Sequence, residues 1–198
     1  MVPGILGVLA ILAFIALMIY ITARINRKRA ECWQQLSERV GGTLSSSKRP
    51  FSSGLNYTIS GWYNEREFRI FESVRGSGKN KRYYANIDLA FSPGFDFSIS
   101  RENILTKIGA AMGFSDISFQ NGELDKSFRF KSSEEDRFRR MMTMDQLNVL
   151  TGIQFKFTGA LTGKNEMISY SVQMQLINQK NVDELQTIMN FMCGLVDV

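Results

Sequence analysis

The sequence predicts an α+β protein in which an N-terminal transmembrane helix precedes one cytoplasmic domain with antiparallel β-hairpins and about four helices. Three observations carry this reading. Residues Val2 to Ala23 contain no charged side chain. Between residues 55 and 99, runs rich in aromatic and β-branched residues alternate with turn residues, the mark of strands. The chain closes on an apolar stripe at helical spacing, from Val182 to Val196.

Wound as a helix, the uncharged run spans about 33 Å, enough to cross a hydrocarbon core of roughly 30 Å. A cleaved signal peptide carries its cations before an apolar run of about 7–15 residues. Here the run is longer, and Arg24, Arg27, Lys28 and Arg29 follow it. Lysine and arginine resist translocation, so this flank predicts a single-pass inner-membrane protein with its N-terminus outside and the remainder in the cytoplasm. The same four cations are the candidate contacts for anionic headgroups, at about 1 kcal/mol each. Gly4, Gly7, Ala10, Ala13 and Ala16 recur every three positions and wind around the helix, so they make no single face for self-pairing.

The expected segments are an anchor over 1–23, a basic flank with juxtamembrane helix and connector over 24–54, and a soluble α+β domain over 55–198. Helix continues from the anchor through Glu31 to Val40, with Trp33, Leu36 and Val40 on one side, until Gly41-Gly42 stops it. Thr43 to Gly54, rich in serine and holding Pro50, reads as a connector. Leu55–Trp62, Arg66–Val74 and Tyr83–Phe91 form a three-stranded meander, although the alternation of the middle strand, with Phe68, Ile70 and Glu72 opposing Arg69, Phe71 and Ser73, is imperfect. Phe95–Ile99 follows as a short strand.

A helix capped by Ser100 is expected over Arg101–Met112. Phe114–Phe119 and Leu124–Lys131 read as a hairpin around the Asn121-Gly122 pair. Ser133 with Asp136 matches a capping pattern for a helix holding Phe138, Met141 and Met142, which can resume after a break to Leu150. A second hairpin pairs Ile153–Ala160 with Met167–Ile177 around Thr162 to Asn165, and Asn181 with Glu184 caps the last helix. Three strand-to-helix passages lack a fixed period, so no internal repeat is read.

Of 24 basic residues, four lie in the flank, and residues 31–198 carry twenty against nineteen acids. That balance does not suggest a nucleic-acid partner, which calls for basicity across a folded domain. The absence of histidine removes the commonest general base and the commonest transition-metal ligand. No metal site, cofactor or catalytic residue is therefore expected. Cys32 and Cys193 read as small buried residues, with acylation of Cys32 near the membrane as the lesser alternative.

Gly76-Ser77-Gly78-Lys79 and Thr162-Gly163-Lys164 both lack the first glycine and the hydroxyl of a phosphate loop, and read as hairpin tips. Glu134, Glu135 and Asp136 suit a helix's first turn, and spacing identifies no partner for Asp88 or Asp96. Arg75, Lys79, Lys81 and Arg82, beside Tyr83 and Tyr84, form a candidate anion-binding hairpin; Arg137, Arg139 and Arg140 read as a solvated helix face.

Phe114-Ser115-Asp116-Ile117, then Leu124-Asp125-Lys126-Ser127-Phe128-Arg129-Phe130-Lys131 and the helix ending Met141-Met142-Thr143, resemble a pattern in uncharacterised bacterial membrane-anchored proteins. Met142 stands here where that pattern has leucine. The resemblance implies a bacterial, membrane-bound, non-enzymatic domain. The functional expectation is thus a membrane-anchored binding or scaffold protein, held in the bilayer through residues 2–23 and serving a membrane-associated protein partner. The alternative is a domain that recognises anionic lipid through the hairpin at 75–82.

Overall fold

Helix α1 (Val2–Val40) runs unbroken for 39 residues, about 58 Å, in this computed structural model. The structure describes residues 2–48, 55–101, 114 and 116–197, with side chains from residue 7 onward. The helix has two environments. Val8 to Ile21 are exposed apolar residues, long and apolar enough to cross a membrane. From Arg29 onward one face enters the core, where Trp33 and Leu36 are fully buried. Gly41 ends the helix at φ 68, and Gly42 N–H donates to Ser37 O at 3.0 Å. A left-handed residue with that bond is a Schellman stop, open to glycine at little steric cost.

The strands are β1 (Thr43–Lys48), β2 (Leu55–Tyr63), β3 (Arg66–Arg75), β4 (Arg82–Ala90), β5 (Phe97–Arg101), β6 (Asp116–Ile117), β7 (Phe128–Ser132), β8 (Ala160–Lys164) and β9 (Met167–Val172). They form one antiparallel sheet in the order β1-β2-β3-β4-β9-β8-β5-β7-β6. Among the described residues the further helices are α2 (Leu124–Ser127), α3 (Glu135–Met141), α4 (Met144–Gly152) and α5 (Gln179–Val196). The α+β architecture expected from the sequence is the one observed.

Alternation decides which side of the sheet is covered. Tyr57, Ile59, Phe68, Ile70, Ile87, Leu89, Ile168 and Tyr170 are buried inward, with Trp33 and Leu36 of α1 and Leu185, Ile188 and Met192 of α5 in the same core cluster. Every expected stripe position of α5, Val182 to Val196, is buried. Tyr63 and Arg66 pair across Asn64 (φ 45) and Glu65 (φ 64), the double positive φ of a two-residue I′ turn. Towards the other sheet edge Phe97, Phe119, Phe130 and Phe138 make a chain of ring contacts, and Phe157 bridges Phe128, Tyr170 and Phe191.

Several local expectations give way. Thr43–Lys48 is an edge strand where a connector was read; its side chains are mostly exposed, so serine costs nothing there and the β2 ladder supplies the bonds. Asp116–Ile117 does pair with β7, but Leu124–Ser127 is a helical turn. The Asp125 carboxylate accepts from Ser118 Oγ, Phe119 N and Asn121 N, and Asn121 Oδ1 accepts from Glu123 N and Leu124 N. Those side-chain bonds coil the loop against the Asn-Gly hairpin signal.

Ser133 does not cap α3; its Oγ accepts from Asp96 N, and Ser132 Oγ accepts from Glu134 N. The expected break before α4 is made by Thr143, whose hydroxyl accepts from Gln146 N. Ile153–Phe157 is coiled by Phe157 N donating to Ile153 O at 2.9 Å and is not a strand. The second hairpin turns at Asn165-Glu166, so Gly163 lies within β8 and not at a tip. Asn178, not Asn181, caps α5 by accepting from Asn181 N. The helix expected over 101–112 falls outside the described residues, apart from Arg101, which ends β5.

Candidate functional site

The joint between α1 and the sheet is built from four side chains. Arg29 and Trp33 lie one helical turn apart on one face, and Tyr57 and Glu72 occupy inward positions of β2 and β3. Arg29 is 6% exposed and Glu72 8%. The Arg29 guanidinium donates to both Glu72 oxygens, a bidentate ion pair, with its Nε 3.1 Å from Oε1. Trp33 Nε1 donates to the same carboxylate at 3.4 Å and its ring stacks on Tyr57 at 5.8 Å. Arg29 also lies over the Tyr57 ring at 5.1 Å.

The four flank cations are thereby divided. Arg24, Arg27 and Lys28 are exposed, while Arg29 belongs to the interior of the domain. Sequence reasoning missed this joint, although its signal was visible: Glu72 stands on the apolar row of β3, and Arg29 shares the face of Trp33 and Leu36.

The basic hairpin lies between β3 and β4, with a single 3-10 turn at Gly78–Asn80. Arg75 and Arg82 are direct cross-strand partners. Like charges in that position repel. Arg75 stacks on Tyr84 at 4.4 Å, and Arg82 Nη1 donates to Gln173 Oε1 at 3.1 Å. Lys79 and Lys81 are exposed, and among the described residues none of these four cations pairs with a carboxylate.

Two of the arginines of α3, Arg137 and Arg139, have structural partners. Arg137 pairs with Glu134, donates to Pro93 O and Gly94 O, and covers Phe95; Arg139 pairs with Glu135, donates to Ser118 O and covers Phe119. Asp88 accepts from Ser169 Oγ at 2.8 Å and pairs with Arg69 at 3.3 Å on the outward face of the sheet. Among the described residues no three His, Cys, Asp or Glu side chains gather as a metal cage. On that outward face, over β2 and β3, Ser60, Trp62, Glu67 and Arg69 are exposed, Trp62 to 70%.

Titratable groups elsewhere respond to burial and to hydrogen bonds. Desolvation, then the Asp197 charge, pushes the Cys193 thiol up to about 11, and Cys32 is raised by burial and by Glu31. Both thiols are free and buried. Tyr63 is pushed up to about 12 because its hydroxyl donates to Asp197 at 2.5 Å. Burial raises the Glu184 carboxyl, against the opposing bond from Thr158 Oγ1 at 2.6 Å.

A comparison with protein-family models finds none that matches the chain, and a comparison with curated proteins finds no match. Among solved structures the chain is similar to the mycobacterial trehalose monomycolate transport factor A, TtfA, at 13% identity, over 86% of this chain and 93% of that one, with a TM-score of 0.49. A likeness of that degree says nothing of function. The residues themselves support a helix that fits a membrane anchor, continuous with the core of an α+β domain.

Proposed function

We propose that this is a single-pass membrane protein whose cytoplasmic domain acts without catalysis, as a scaffold or accessory subunit for another protein at the membrane. The observation that carries the reading is the unbroken α1, exposed and apolar over Val8 to Ile21 and clamped to the sheet by Arg29, Trp33 and Glu72. A flexible linker would let a domain search a volume; a continuous helix holds it at one height and attitude. Such a hold suits presentation of a fixed surface, and raises the local concentration of the domain for partners in the same membrane. The cationic flank favours the cytoplasmic side. The absence of histidine from the sequence, and of any gathered His, Cys, Asp and Glu cluster among the described residues, supports a binding role.

The outward face around Trp62 is the surface offered to the partner, because exposed aromatics supply binding energy out of proportion to their number. A photo-crosslinking residue at Trp62, and separately at Ser60 and Arg69, tests this in intact cells. A discrete adduct with one membrane protein at these positions, and none from Glu38 on the exposed side of α1, is expected. No adduct at any of the three would overturn the reading. Protease digestion of sealed vesicles tests the side: cytoplasmic placement requires the domain to be cut in inverted vesicles and protected in right-side-out ones.

A further inference from the structure

Two tie points fix the direction of the sheet relative to the anchor. Near its membrane end, α1 meets β2 and β3 through Arg29 at Glu72 and Trp33 at Tyr57. Just past its far end, Gly42 lies against Ile59 and against the Phe68 ring, where an added Cβ would stand 3.2 Å from Cζ. Arg29 to Val40 covers about 17 Å of helix, and Glu72 back to Phe68 about 13 Å of strand. Strand β3 therefore runs antiparallel to α1, and its C-terminal end points back towards the bilayer.

Beyond Glu72, three more residues of β3 advance about 10 Å to Arg75. Going the same way along the helix, Arg29 to Ala23 is about 9 Å. The β3–β4 loop thus reaches the level at which the apolar span ends. It arrives with an Arg75–Arg82 cross-strand pair and exposed Lys79 and Lys81, and no carboxylate among the described residues offsets them. Lys48 and Leu55, paired at the same end of β1 and β2, and Val74 of β3 are also exposed.

We propose that the β3–β4 loop, through Arg75, Lys79, Lys81 and Arg82, docks on anionic lipid headgroups of the bilayer that α1 spans. The flank cations Arg24, Arg27 and Lys28 make the first contact, and the loop makes a second one displaced across the sheet. Two contacts prevent rotation of the domain about the helix axis. The anionic surface also relieves the repulsion between Arg75 and Arg82. Leu55 and Val74, on the same rows as Tyr57 and Glu72, face the interface beside the helix. This inference rests on α1 spanning the membrane and is independent of which leaflet the domain faces.

The test uses the full chain in nanodiscs, either neutral phosphatidylcholine or an equimolar mixture with phosphatidylglycerol, each with a trace of headgroup spin-labelled lipid. A bimane fluorophore is placed on S77C, at an exposed loop position; the native thiols are buried. Docking predicts strong contact quenching in anionic discs, falling to the neutral-disc level as salt is raised. Each surface cation contributes a factor of about five, so K79Q/K81Q lowers the docked-to-undocked ratio roughly 30-fold. The salt titration needs no substitution beyond the label. Equal quenching in both discs and at all salt concentrations overturns docking while leaving the anchor intact. Failure of the chain to co-elute with discs overturns the anchor and docking together.

Discussion

Replacing Glu72 by leucine removes the acceptor at which Arg29 and Trp33 converge. The carboxylate receives a bidentate guanidinium and an indole N–H inside the core, with Arg29 only 6% exposed. Breaking a buried ion pair by deleting one member costs about 3–5 kcal/mol, because the remaining charge loses its partner and does not regain water. Domains are stable by about 5–15 kcal/mol, so E72L removes a large part of the total. The double replacement R29M/E72L deletes both charges and recovers most of the loss, since apolar groups of similar volume substitute well for such a pair. Denaturant unfolding of the full chain in detergent, followed by Trp33 fluorescence in a W62F background, measures all four corners of the cycle. If E72L lies within about 1 kcal/mol of the parent, or if the double variant is as unstable as the single, the joint does not hold the helix to the sheet in the way argued.

Other consequences are simpler to measure. Glu184 is raised above its ordinary 4.5 by burial, so the folded state binds the proton more tightly and stability falls as pH rises from about 4.5 through the folded value; E184Q flattens that part of a stability-against-pH curve. An added Cβ at Gly163 would enter the Phe97 ring, so G163A loses about 1–3 kcal/mol or more by overpacking, and thermal melts with F97L as a second change recover part of it. Leu36, fully buried between helix and sheet, loses about 2–5 kcal/mol on truncation to alanine. Cys32 and Cys193 are buried with raised thiol values, so a maleimide at neutral pH modifies neither in the folded chain and both after unfolding, as mass spectrometry reads directly.

The regular elements were legible because their periodicity is local. The meander from Leu55 to Ala90 and the stripe of α5 follow from alternation and helical spacing within single segments. The strand order was not, because β9 and β8 insert between β4 and β5 through pairings distant in sequence. Edge strand β1 was hidden by serine, which composition assigns to loops, and α2 by the side-chain bonds of Asp125. Of the candidate site, the cations of the β3–β4 loop were visible as a cluster. Their position relative to the bilayer was not, since it depends on the Arg29–Glu72 tie across 43 positions of sequence.

The central claim is that one rigid helix carries the domain from the bilayer, and a distance distribution tests it most directly. Spin labels at M18C in the apolar stretch and S60C on the outward face of β2, in the full chain reconstituted in nanodiscs, are read by pulsed dipolar spectroscopy. A single narrow distance is predicted. A broad distribution would mean that the helix bends or breaks between membrane and core, and that the domain hangs on a hinge.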